Sequence, residues 1–184
     1  KNSVRWVSGA RLSIRAMEIS RHAHPNMLGE VLDTLREFSD GQAICRDIQA
    51  GLIPSQEDWR EHSDAHVGAL FAFCCRSGAS LAGADTSKRV SLGRFGRHFG
   101  RLWHVSEDVS MLLHGEGGTH LVTRALAGRP VFPLVVAMES SPLIVARWRE
   151  FNAEPSHELG EQLAELVLTT NAIGVSREVM MKES

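Results

Sequence analysis

With 184 residues, 43% of them hydrophobic, the chain is long enough to bury a core without disulfides or metals holding it together. A formal charge of −2 supplies no basic face for nucleic acid, and no apolar run reaches the ~18–20 residues of a membrane span. Cys45, Cys74 and Cys75 are odd in number and show no paired spacing, so a reducing, cytoplasmic setting is expected rather than a disulfide framework.

Helix signals follow one another along the chain. Lys1 to Trp6 shows no signal-peptide core and no initiating Met, which fits a fragment or a trimmed chain. Val4, Val7, Ala10, Ile14 and Met17 recur at three-to-four spacing and predict a first helix closing near His24-Pro25. A second is expected from Met27 to Ala50, with Leu28, Val31, Leu32, Leu35 and Phe38 on one face, broken by Gly51-Leu52-Ile53-Pro54. Ser55 with Asp58 reads as a capping box opening a third helix, with Val67, Leu70, Phe71 and Cys74 as its buried stripe and Gly78 and Gly83 at its far end. A fourth starts at Thr86 or Ser87 and carries Phe95, Phe99, Leu102, Val105, Val109 and Leu112. Gly93, Gly96 and Gly100 sit on it at helical spacing; each costs up to about 1 kcal/mol relative to alanine, which close helix contact would offset. The run from His114 to Gly118 reads as a loop, followed by helices over Pro130–Met138, over Pro142–Phe151 and onward from a Ser156 cap. Without strand alternation, repeats or low-complexity tracts, the expectation is a single all-α domain over residues 1–184.

Three segments, taken in order, share a pattern. They are Ser8-Gly9-Ala10-Arg11-Leu12-Ser13-Ile14-Arg15-Ala16, then Gly68 through Ala84, then Phe95-Gly96-Arg97-His98-Phe99-Gly100-Arg101-Leu102-Trp103-His104. Together they resemble the polyprenyl synthetase (trans-isoprenyl diphosphate synthase) family, the last matching its Phe-Gly-x3-Gly-x2-Phe-Gln run. Downstream, Gly128-Arg129-Pro130-Val131-Phe132-Pro133-Leu134 stands where the family has Gly-Lys-x-Thr-x-Pro-Leu, so the likeness covers Ser8 to Met138.

The resemblance implies an isoprenoid-synthase-like helical bundle, in this chain partial, because the helices bearing the first Asp-rich motif would precede Ser8. It also implies an enzyme that ionises an allylic diphosphate for attack by isopentenyl diphosphate. In the family, magnesium ions held between two Asp-rich helices face the departing diphosphate, and lysines and arginines neutralise the remaining oxygens. Matched position by position, this chain departs from that pattern. Glu107 and Asp108 stand for the paired aspartates of the second motif and Met111 for the third, and a thioether holds no magnesium. The Lys-Thr pair is His66-Val67, a permanent cation replaced by a group mostly neutral near pH 7. Trp103-His104 replaces Phe-Gln, Ala10 replaces an aspartate, and later Lys and Asp positions fall on Thr119 and Arg124. Gln42, after Ser39-Asp40-Gly41, and the positive Arg129 keep the family's character. Nowhere does the sequence contain Asp-Asp-x-x-Asp, so these 184 residues cannot by themselves assemble the usual metal site.

The implied site is thus a degraded one. Residual diphosphate contacts fall to Arg129, His66, Gln42 and His104, residual metal binding to Glu107 and Asp108, and a hydrophobic isoprenoid pocket to Phe71, Phe99 and Trp103. Mg2+ is expected as cofactor only if the protein is active. The resemblance points to a non-catalytic or regulatory partner in a homo- or heterodimer with a prenyl synthase subunit. The alternatives are an active transferase of which this chain is a part without the ends, and a non-enzymatic module for a hydrophobic ligand.

Plainer readings stand beside these. Glu107-Asp108 is also a solvated patch at a helix end, and the aromatic residues also fit ordinary core. Asp58, His62 and His66 form an i, i+4, i+8 column that could hold zinc, or serve a hydrolase, but no fourth ligand or H-E-x-x-H arrangement accompanies them, and a polar helix face is simpler. Asp33, Glu37 and Asp40 read as a solvated acidic stripe, and the cysteines as small apolar packers.

Overall fold

The computed structural model describes residues 2–114 and 117–183, with side chains from Val7 onward. Its helices are α1 (Asn2–Ala23), α2 (Met27–Gln49), α3 (Gln56–Ser63), α4 (Ala69–Leu81), α5 (Thr86–Leu113), α6 (Gly117–Leu126), α7 (Phe132–Ser140), α8 (Pro142–Ala153), α9 (His157–Leu168) and α10 (Ala172–Glu183). A π-helical turn, Asp64–Gly68, lies between α3 and α4, and no strand occurs among the described residues. The all-α expectation holds. Among the described residues no helix is long and apolar enough to cross a membrane.

The core gathers around α7. Every residue from Val131 to Met138 is buried, because a helix that is apolar all round over its first seven residues can only be satisfied inside a shell of other helices. Ile44 and Ile48 of α2, Trp59 of α3, Val105 and Leu112 of α5, and apolar residues of α6, α8 and α9 complete the same cluster. Each large side chain so buried stabilises the fold by roughly 1.5–3 kcal/mol.

Several ends follow the chemistry of their caps. The Ser55 hydroxyl accepts from the Asp58 N–H while the Asp58 carboxylate accepts from the Ser55 N–H, the reciprocal box expected there. Ser156 accepts from the Leu159 N–H at the start of α9, and Asp85 does the same for Lys88 at the start of α5.

The stripes are less regular than their spacing suggested. Leu70 and Cys74 are exposed, and the inner face of α4 is made of Ala69, Ala72, Ser77, Ala79 and Ser80. Two causes act together. The π turn adds a residue to the helical repeat and rotates everything after it, and α5 presses too close for larger side chains. A Cβ at Gly96 would lie 2.5 Å from the Phe71 carbonyl oxygen, and one at Gly100 would lie 2.7 Å from the Gly68 Cα. Leu32, Leu35, Phe95 and Phe99 are likewise exposed, with Val31, Val105, Val109 and Leu112 turned inward as expected. Val4 lies outside the residues whose side chains are described.

Two helices were not anticipated. α10 follows α9 after a short turn, and α6 begins at Gly117, inside the expected His114–Gly118 loop; residues 115 and 116 of that loop lie outside the described residues. α6 tolerates its glycines because α9 crosses it tightly, with a Cβ at Gly160 falling 2.8 Å from the Gly118 carbonyl oxygen. The acidic stripe on α2 is also only partly solvated: Glu37 pairs with Arg97 of α5 at 2.7 Å.

Gly100→Val, which forces a branched side chain onto the backbone at Gly68, is expected to cost at least about 1–3 kcal/mol in urea unfolding. Gly78→Ala, on the same pair of helices but with open space at its Cβ, is expected to be neutral or stabilising by up to about 1 kcal/mol. Equal effects would contradict the close α4–α5 contact.

Candidate functional site

The acidic pair on α5 divides into two unlike residues. Glu107 is half exposed and accepts from Arg124 at 3.0 Å. Asp108 is 0% exposed, so a solvated patch describes only its neighbour. Its Oδ2 accepts from the Phe132 backbone N–H at 3.0 Å and the Trp59 indole N–H at 3.4 Å. Its Oδ1 faces Arg124 Nη2 at 3.2 Å and His120 Nε2 at 3.3 Å. Burial pushes the Asp108 carboxyl upward, but the His120 contact, the positive charge of Arg124 and the Phe132 N–H outweigh it and hold the group below the usual range. It is an ionised acceptor wholly supplied by protein.

Magnesium requires several oxygen ligands in near-octahedral geometry at about 2.0–2.1 Å. Both oxygens of Asp108 already face two donors each, Glu107 is tied to Arg124, and Met111 offers only sulfur. The residues present do not fit the ion.

The diphosphate candidates gather nearby, around a buried histidine that the sequence pattern placed in a different set. His62 lies 4.2 Å, ring to ring, from His66 and 5.9 Å from His104. The Gln42 carboxamide nitrogen is 2.6 Å from His66 Nε2, and His104 Nδ1 is 3.0 Å from the Ser63 hydroxyl. Burial, reinforced by neighbouring positive groups, lowers His62 to about 3 and His66 to about 4, and also lowers His104. Three imidazoles therefore lie buried and neutral together, among them His66, which the resemblance sets at a lysine position. Arg129 is exposed, but its charge reaches His62, His66 and Cys45.

Asp58 does not join this cluster. Its carboxylate is spent on the Ser55 cap, at 2.6 Å from the hydroxyl and 2.7 Å from the N–H. Cys45 takes the place expected for it, with Sγ 3.5 Å from His62 Nδ1. Nothing in the sequence ties Cys45 to His62 directly, because the two sit on different helices; Gly41 of α2, where a Cβ would meet Ala65 at 2.5 Å, permits the approach. His120 belongs to the unanticipated α6, so its role beside Asp108 was equally hidden.

Phe71, Phe99 and Trp103 do come together, with ring centroids 5.0 Å apart for Phe71–Phe99 and 6.5 Å for Phe71–Trp103. Phe95 extends the series, 6.1 Å from Phe99. Trp103 is 55% exposed and Phe95 61%, so the described residues form an open aromatic strip along α5 and not an enclosed tunnel. A second apolar groove, of about 370 Å³, lies between α1, α2 and α4 and is lined by Ile19, Val31, Leu35, Leu70 and Phe73.

This all-helical arrangement, with its glycine-packed α4–α5 pair, has a counterpart among solved structures. The fold superposes on the crystal structure of a geranylgeranyl pyrophosphate synthase from Bacteroides thetaiotaomicron with a TM-score of 0.86, at 14% identity, over 99% of this chain and 62% of that one. In sequence, the chain is 25% identical over 169 residues to a dimethylallyltranstransferase of Mycobacterium tuberculosis, a match covering 90% of this chain and 51% of that protein. The chain thus spans about half the length of that curated relative. No family model matches it. The sequence match, supported by the fold, relates the chain to the polyprenyl synthetase family.

The neutral histidines have a measurable consequence. In the unfolded chain each titrates near 6.5, so below that pH the unfolded state binds protons that the folded state refuses. Their contribution is complete above about pH 6.5 and is lost as pH falls towards the folded values of about 3 and about 4, by up to about 1.4 kcal/mol per pH unit for each imidazole. Urea unfolding of chelator-treated protein between neutral pH and about pH 4 is expected to show this slope, and His62→Gln to remove about one proton's share. An unchanged slope in the variant would contradict burial of a neutral His62.

Proposed function

We propose that this protein is a prenyl-synthase-like subunit whose magnesium–diphosphate site is degraded and which acts as a non-catalytic or regulatory partner of an active prenyl synthase. The observation that carries the reading is the state of Asp108, which the resemblance sets at a metal-ligand position: the carboxylate is fully buried and engaged by Trp59, His120, Arg124 and the Phe132 N–H. Met111 and the neutral His66 support it, because the first offers no hard ligand and the second no permanent charge where the family has lysine. The open aromatic strip on α5 and the apolar groove between α1, α2 and α4 support a partner or hydrophobic ligand, since exposed apolar surface of this extent is costly unless something covers it.

One observation favours a second reading, an active transferase. The chain covers 51% of its curated relative, and residues that complete a site could lie in the other half. Full-length protein supplied with isopentenyl and allylic diphosphates, in magnesium or manganese, separates the two. The partner reading expects no pyrophosphate release by this protein alone and recovery of an Asp-rich prenyl synthase with it in a pulldown. Pyrophosphate release that falls in Glu107→Gln would establish the active reading, and a stable, partnerless monomer would overturn the first.

A further inference from the structure

Outside the acidic pair, one constellation among the described residues has the composition of a metal centre. Cys45 of α2, His62 of α3 and His66 of the π turn are all buried, and each offers a ligand atom within 4.8 Å of the others. We propose that Cys45, His62 and His66 form a buried binding site for one borderline-soft divalent transition-metal ion of the zinc class.

The separations suit such an ion. A tetrahedral centre with a sulfur ligand at about 2.3 Å and a nitrogen at about 2.1 Å sets those two atoms about 3.5 Å apart. The Cys45 Sγ to His62 Nδ1 distance is 3.5 Å, and the widest pair, at up to 4.8 Å, closes with small side-chain rotations. Donor type excludes the hard cations: one sulfur and two imidazoles select zinc or cobalt over magnesium. The site is therefore chemically distinct from the diphosphate machinery of related folds and stands whether or not the protein is an active prenyl synthase.

A second observation points the same way. His66 Nδ1 is buried and makes no hydrogen bond of good geometry, the His62 backbone one turn back offering the ring only a weak one, although buried polar atoms are nearly always well paired. A metal on Nδ1 would satisfy it and fix the other ring nitrogen as N–H, which would donate to Gln42 once its carboxamide turns over to present its oxygen in place of the nitrogen now 2.6 Å away. His104 Nε2, on the ring 5.9 Å from His62, is similarly buried and unpartnered, and is the nearest imidazole to serve as a further ligand or to hold a bound water. Burial keeps both His62 and His66 neutral, the form that binds metal. Burial opposes ionisation of the Cys45 thiol while the charge of Arg129 favours it, so the metal itself would complete the deprotonation.

Cobalt(II) titrated into purified, chelator-stripped protein tests the site directly. The expected result is binding of one equivalent, with the visible bands of a tetrahedral ion and a near-ultraviolet thiolate-to-cobalt charge-transfer band, both displaced by zinc. Cys45→Ser should abolish the charge-transfer band and weaken affinity by more than the ~10–100-fold that loss of an outer-sphere partner causes. His62→Gln should weaken it comparably, while His22→Gln on exposed α1 should change nothing. Wild-type protein that shows no thiolate band at saturating cobalt overturns the proposal, whatever the variants do. Full affinity in folded Cys45→Ser overturns it as well.

Discussion

The hydrogen bonds that Asp108 accepts fix the middle of the molecule. A carboxylate removed from water costs several kcal/mol unless donors replace the solvent it loses, and Asp108 draws its donors from three other helices. Trp59 comes from α3, His120 and Arg124 from α6, and the Phe132 N–H from the first residue of α7. The last is one of the N–H groups that a helix start leaves without an internal partner, and a negative charge there also suits the helix dipole. One side chain thereby sets the position of α5 against the apolar α7 and the cluster of helices around it.

The same arrangement decides the chemistry. An acidic pair able to grip metal must present its oxygens to a shared open space, whereas Asp108 turns both inward and Arg124 bridges it to Glu107. The imidazole cluster lies along the same face of α5, where His104 sits one turn before Asp108. Gly96 and Gly100 let α4 and the π turn lie against the α5 backbone, which closes His62, His66 and His104 into a region where none is readily protonated. The result is a buried group of neutral nitrogens with one thiol beside them.

The overall class was legible because it rests on local signals. Caps at Ser55 and Ser156, the breaks at His24-Pro25 and Gly51–Pro54, and the glycine spacing on α5 all act within a few residues, and each reappears in the fold. What the sequence hid depends on phase and distance. The π turn shifted the α4 stripe so that Leu70 and Cys74 face outward, and no linear pattern marks such a turn. α6 was concealed by glycines that read as a loop until α9 is seen against them. Asp58 fitted the spacing of a ligand column, yet its carboxylate belonged to the cap read three residues earlier. Cys45, 17 residues from His62 on another helix, could be joined to it only by the fold.

The packing thus makes Asp108 a structural anchor, held by donors from α3, α6 and α7. The direct test is the unfolding free energy of Asp108→Asn with and without magnesium. An anchor predicts a loss of about 3–5 kcal/mol, because the variant leaves Arg124 and its fellow donors facing a neutral amide, and no stabilisation of the wild-type protein by magnesium. A variant as stable as wild type, together with a wild-type protein that magnesium and diphosphate stabilise through Asp108, would contradict it.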